Sequence, residues 1–167
     1  MSGFPDHLVA PALDAAFAED LGLSGDITTN AVIPADAVSR AVIAARKPGR
    51  IAGLPIAEAA FRRLDPSIEF RVAIADGGDA EKGAAIAEVS GNTRAILTAE
   101  RVALNYLGHL CGIATQTRAF VRAIEGTNAR VCCTRKTTPG LRAFEKYAVR
   151  AGGGVNHRFG LYDAVLV

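Results

Sequence analysis

A chain of 167 residues, 50% hydrophobic and 22% charged, can bury a real core and has the length of one domain, or of a small domain plus part of another. It contains no apolar run of the roughly 18–20 residues that a membrane span needs, and its start, Met1-Ser2-Gly3-Phe4-Pro5-Asp6, lacks the basic flank and apolar stretch of a signal peptide. The net charge of +2 discriminates little by itself, and the three cysteines, Cys111, Cys132 and Cys133, contain no C-x-x-C pair, so they read as free thiols in a reducing cytoplasm and not as a disulfide framework or zinc site.

In chain order, Pro5 to Leu21 reads as an amphipathic helix, because Val9, Leu13, Phe17 and Leu21 recur every fourth residue; Gly22 and Gly25 stop it. Gly25-Asp26-Ile27-Thr28-Thr29 reads as a loop of residues that bond their own backbone. Ser39 to Lys47 is a strand ended by Pro48-Gly49, and Ile56 to Leu64 a short helix broken at Asp65-Pro66. Ile68, Phe70, Val72 and Ile74 alternate with Glu69, Arg71 and Ala73, the strongest strand signal in the chain. Asp76-Gly77-Gly78-Asp79 is a turn, and Ala84 to Val89 a further strand before Gly91-Asn92.

Thr98 is the expected N-cap of a long helical stretch, with Glu100 in its first turn. Val102, Leu104, Leu107, Leu110, Ile113, Phe120, Val121 and Ile124 keep the helical period to Gly126, and Gly108 and Gly112 are expected to divide it in two. Beyond it the pattern changes: a short strand at Arg130–Cys133, a loop at Thr137-Thr138-Pro139-Gly140, a helix from Leu141 to Ala151, a loop at Gly152-Gly153-Gly154, and a strand from Tyr162 to Val167. Strand–helix–strand is the unit of parallel sheets and barrels. Two such strands cannot close a barrel or cover both faces of a sheet. The expected organisation is an α+β sandwich domain over residues 1–97, followed over 98–167 by a helical connection and the first strands of an α/β domain of incomplete-barrel type, cut short.

Charge and glycine concentrate in the same place. Between Ala129 and Gly160 lie seven Lys/Arg against one acid, Glu145, while the remainder carries 12 basic and 16 acidic residues. An anionic ligand is implied. The first candidate is Thr134-Arg135-Lys136-Thr137-Thr138-Pro139-Gly140, at the carboxyl end of a strand and leading into a helix, where α/β folds bind ligands. Arginine offers a planar fork for a carboxylate and lysine a point charge for phosphate. The second is Gly152-Gly153-Gly154-Val155-Asn156-His157-Arg158, whose glycines let backbone approach a ligand and whose last three residues bring donors and charge; it lacks the G-x-G-x-x-G spacing of a dinucleotide site. The third is Glu100-Arg101, where an arginine at a helix start faces the wrong end of the dipole and is either engaged elsewhere or solvated.

Together these stretches, with Glu19-Asp20-Leu21-Gly22, Gly25-Asp26-Ile27-Thr28-Thr29, Ala99-Glu100-Arg101-Val102-Ala103-Leu104-Asn105, Cys111-Gly112-Ile113-Ala114-Thr115, Leu141-Arg142, Glu145-Lys146-Tyr147-Ala148-Val149 and Gly160-Leu161-Tyr162-Asp163, resemble quinolinate phosphoribosyltransferases over nearly the whole chain and in the family's order. The resemblance implies an α/β sandwich followed by an incomplete-barrel domain that holds the active site. It implies transfer of the phosphoribosyl group from phosphoribosyl pyrophosphate to quinolinate, with magnesium, giving nicotinate mononucleotide, pyrophosphate and carbon dioxide. By the same resemblance Arg135, His157 and Arg158 hold the quinolinate carboxylates, Lys136 and Thr134 serve the substrate anions, and Arg101 reaches into a partner subunit's site in a homodimer. Lys136, Arg135 and His157 are the implied catalytic set, with no nucleic-acid or membrane partner and a cytoplasmic location. The magnesium ligands are expected on later strands, since the family continues past Val167 with a lysine, an Asn-His pair and acidic residues; the chain by itself is therefore expected to lack catalysis. Two positions depart from the family: Cys133 stands where Asp is common, and Cys111 where serine is usual.

Two other readings compete. One is a paralogue of the molybdenum-operon type that acts on another pyridine or anionic base, against which the full carboxylate-binding set argues. The other is a non-catalytic module, either a truncated form or a carrier hairpin around Gly77–Val89 with Lys82, although no modification motif surrounds that lysine.

Overall fold

The structure, a computed structural model, describes Phe4 and residues 6–165. The first helix, α1 (Asp6–Leu21), buries Leu13 and Phe17 and half-buries Val9 and Leu21, the face that the four-residue period marks. Gly22 and Gly25 then take positive φ values of 52° and 67°, which end it. The segment expected as a loop holds a short helix, α2 (Ile27–Val32), because Asp26 Oδ1 accepts from Thr29 N at 2.8 Å and caps it.

Three strands form an antiparallel sheet in the order β1 (Val38–Ala44), β5 (Ala85–Asn92), β3 (Glu69–Val72). Ala41 and Phe70 flank Val89, and Ile43 and Val72 flank Ala87, so one face of the central strand is apolar. On the other face Arg40 and Glu88 lie 3.6 Å apart in an exposed ion pair. A two-stranded ribbon, β2 (Gly49–Arg50) with β4 (Asp79–Ala80), stands beside the sheet. Between β2 and β3 in the chain lies α3 (Leu54–Leu64), which buries Leu54, Ile56, Ala57, Ala60 and Phe61, packs on the long helix that follows the sheet and stops at Asp65. Its first N–H groups are satisfied from afar: Asp76 Oδ2 accepts from Gly53 N at 2.9 Å and Oδ1 from Leu54 N at 3.2 Å.

The long helix α4 (Thr93–Ala123) is one unbroken element of 31 residues. Asn92 caps it, its side-chain oxygen accepting from Ala95 N at 3.1 Å, so the helix starts one turn and more before the expected Thr98. Thr98 instead sits inside the helix and donates to Asp26 Oδ2 at 3.1 Å. Nor do Gly108 and Gly112 divide the helix, since apolar neighbours on both sides keep it packed while the glycines lie on its open face. Ile96, Ala99, Val102, Ala103, Leu107 and Leu110 join the core beneath the sheet and α3. Farther along, Ala114 and Thr117 meet α5 (Arg142–Ala151). That approach is close: a Cβ on Gly152 would stand 2.5 Å from Ala114 O and 2.6 Å from Thr117 Cβ.

In the last part the expected helix forms as α5, but neither flanking segment reaches the length of a strand. Arg130–Cys133 is reduced to one parallel bridge, between Cys132 and Val155, whose partner residue stands directly after the glycine run, where a loop is expected. Tyr162 to Val165 is turn and irregular backbone that pairs with nothing among the described residues; the rest of that expected strand, residues 166–167, lies outside them. No helix among the described residues is long and apolar enough to cross a membrane.

Candidate active site

Two segments are stitched side by side. Val155 N donates to Val131 O at 2.9 Å and Cys133 N donates to Val155 O at 3.1 Å, the slanted bonds of a parallel pair. Parallel strands run out at the same end, so Thr134-Arg135-Lys136 and Asn156-His157-Arg158 both leave from the carboxyl edge of this pair. In α/β units that edge is where ligands sit.

Each segment is held by bonds to α5 or by local turns. Thr134 Oγ1 accepts from Lys136 N at 3.0 Å, which folds the Arg-Lys pair into a tight turn. Arg142 Nε donates to Thr137 Oγ1 at 3.1 Å, and the same guanidinium donates to Phe159 O at 2.9 Å, so one side chain ties the first loop to the second segment. Glu145 Oε2 accepts from Thr138 N at 3.2 Å while Oε1 meets His109 Nε2 at 3.0 Å. Burial pushes the Glu145 carboxyl up, but the Thr138 and His109 bonds more than offset this and hold it below its ordinary value. The second segment is tied by Lys146, whose Nζ donates to Cys133 Sγ at 2.9 Å and to His157 O at 2.8 Å. Arg158 N donates to His157 Nδ1 at 2.9 Å, which leaves Nε2 as the ring nitrogen for a ligand.

The candidate residues are placed as follows. Thr134, Lys136 and His157 are exposed, and Arg135 and Arg158 half-buried, all at the shared strand end. The Nε atoms of Arg135 and Arg158 are buried with no hydrogen-bond partner among the described residues, which is the state of a donor that a ligand or further chain would satisfy. Arg158 also donates through its guanidinium to Ala164 O at 2.8 Å. Arg101 is not part of this cluster. It is exposed on α4, two turns inside the helix and so clear of its dipole end, with no hydrogen bond or ion pair among the described residues. The arginine therefore does not carry the dipole penalty inferred from a start at Thr98.

Three supports of the site escaped the residue-level reading. His109 lay unremarked within the long helix, although its spacing to the only acid of the basic segment is invisible in sequence. Lys146 is fully buried, although in sequence it is indistinguishable from the solvent-facing cations around it. Tyr147 donates to Asp76 Oδ2 at 2.6 Å and so fastens α5 to the turn that caps α3. Burial, the bond to Asp76 and the charge of that carboxylate raise the phenol well above its ordinary range.

Comparison with known proteins identifies the fold and its family. Residues 26–111 match the N-terminal domain of quinolinate phosphoribosyl transferase and residues 113–167 match its C-terminal domain. A probable carboxylating nicotinate-nucleotide pyrophosphorylase of Bacillus subtilis is 45% identical over 93% of the chain, and one of Synechocystis 46% identical over 98%. The chain spans about half the length of these curated relatives, 53% and 55% respectively. The crystal structure of NadC from Streptococcus pyogenes superposes with a TM-score of 0.94 at 41% identity, over 99% of this chain and 58% of that one. The fold, both domain matches and these identities establish that the chain belongs to the quinolinate phosphoribosyltransferase family.

Proposed function

We propose that the chain contributes the carboxylate-binding part of a site that joins quinolinate to phosphoribosyl pyrophosphate, with loss of carbon dioxide, to give nicotinate mononucleotide. The observation that carries the reading is the parallel Cys132–Val155 bridge, which sends Arg135 and Lys136 out at the same strand end as His157 and Arg158. Arg135, His157 and Arg158 hold the two quinolinate carboxylates, and Lys136 with Thr134 takes the phosphate-bearing partner. A dianion and a polyphosphate repel each other, and a cationic cleft offsets that repulsion while fixing the ring nitrogen against the sugar carbon. The nitrogen lone pair forms the new bond to the ribose carbon as pyrophosphate leaves with its bonding electrons. The alkylated ring then accepts the electron pair released when the adjacent carboxylate departs as carbon dioxide, and a proton takes its place.

Magnesium would accompany the phosphoribosyl pyrophosphate. The described residues contain no group of three or more His, Cys, Asp or Glu that could hold a metal, so its protein ligands belong to chain beyond Val167. Arg101, exposed and unengaged among the described residues, serves the site of a partner subunit in a homodimer. The protein works in the cytoplasm.

Calorimetric titration with quinolinate tests the reading. Binding is expected for the wild-type chain, weaker binding for nicotinate, which lacks the second carboxylate, and about a tenfold or greater loss for R135A and R158A. Equal affinity for both acids, or full binding by R135A, would overturn it.

A further inference from the structure

Lys146 is wholly buried, yet no carboxylate pairs with it among the described residues. Its Nζ is satisfied by Cys133 Sγ at 2.9 Å, by His157 O at 2.8 Å, and by the face of Phe159, whose centroid lies 5.1 Å away. The same sulfur also accepts from His157 N at 3.3 Å. A buried lysine costs desolvation, and a core helix would be served as well by methionine if filling space were its only role. Here the amine and the sulfur grip both the N–H and the C=O of one residue, His157, from opposite partners. That residue opens the second carboxylate-facing segment.

We propose that Lys146 is a positioning residue, acting with Cys133 to hold the main chain at His157 in the register that presents His157 and Arg158 beside Arg135. The proposal rests on the carboxylate-binding reading for what is presented, whereas the clamp itself is a property of the chain alone. Cys133 is the softer half of the clamp. An aspartate at this position would replace the sulfur with a charged acceptor for Lys146 Nζ.

Amide hydrogen exchange in the full chain separates a clamp from mere packing. In C133A and in K146M the His157 amide is expected to exchange about tenfold faster, while the Val89 amide at the centre of the sheet keeps its wild-type rate. The double variant is expected to be no faster than the singles, since each breaks the same unit, and C133D is expected to restore protection. Unchanged His157 exchange in the single variants, or additive effects in the double, would overturn the proposal. Should K146M fail to fold, the contrast of C133A with C133D decides alone. Quinolinate titration of the same proteins then reads the positioning role: affinity is expected to fall in C133A and return in C133D. A wild-type chain that binds but a C133A that binds equally well sinks the positioning role. A wild-type chain that does not bind quinolinate sinks the functional reading, and the exchange data still judge the clamp.

Discussion

At the residue scale, the site owes its shape to side chains that bond its own loops. Glu145 is the clearest, because it is the single acid in a basic stretch and holds the loop at Thr138 and the ring of His109 together. Its carboxyl sits below its ordinary value of 4.5 in the folded chain. The stabilisation it brings is therefore complete above that value and is lost as the pH falls through the lower, folded-state value. E145Q is expected to flatten this acid limb, and urea melts at descending pH would read it. The cysteines offer a second test. Cys132 is exposed, whereas burial chiefly, opposed by a bond with Ala52 and aided by the charge of Asp76, raises the Cys111 thiol. Iodoacetamide should modify Cys132 first and spare Cys111 until the chain unfolds, as peptide mass mapping would show. Which residues carry charge and where they cluster was legible in the sequence; which of them are buried supports was not. Lys136 and Lys146 differ only in facing solvent or the strand pair, a fact of three-dimensional packing that no local pattern encodes.

At the scale of elements, period and punctuation told most of the story. The α1 face, α3 and its stop at Asp65, and the presence of a strand at β3 all follow from patterns of the chain itself, although Val72 in that strand is exposed. Errors came where two caps competed. Asn92 and Thr98 are both good N-caps, and Asn92 prevails because the strand ending there hands its backbone directly to the helix. N92A removes the bond to Ala95 N and the one its amide donates to Ala35 O at 2.8 Å, and is expected to cost about 1 kcal/mol in chemical denaturation. The bridge at Val155 is hidden from a sequence reading for another reason. Val155 is one apolar residue between glycines and polar side chains, too short a signal to outweigh the apolar run at Tyr162–Val167. G152A probes the packing beside it. Gly152 has an ordinary backbone, with φ −74°, so the whole cost of a methyl group comes from Ala114 O and Thr117. About 1–3 kcal/mol of destabilisation is expected, read by the shift in melting temperature.

Across the whole molecule, α4 is the common wall. Its first half closes the core of the sheet and α3, and its second half carries α5 and the strand pair. The two family domains therefore meet on a single helix and not across a flexible linker. Unfolding is expected to be one transition, with far-UV circular dichroism and tyrosine fluorescence coincident in urea, because Tyr106 reports α4, Tyr147 reports α5 and the ellipticity reports every helix. Two separated transitions would show that the wall is not shared. Sequence periodicity located α4 but its own glycines suggested a break, since a helix's continuity depends on what covers it.

Lys146 and Tyr147 are neighbours on α5, and successive helical side chains point about 100° apart. One is bolted to the strand pair through Cys133 and His157, the other to Asp76 in the opposite half of the molecule. The helix is thus keyed like a shaft with two pins at different angles: it cannot roll about its own axis without shearing one of them. The azimuth of α5, and with it the orientation of the loops at both its ends, is set by two adjacent residues.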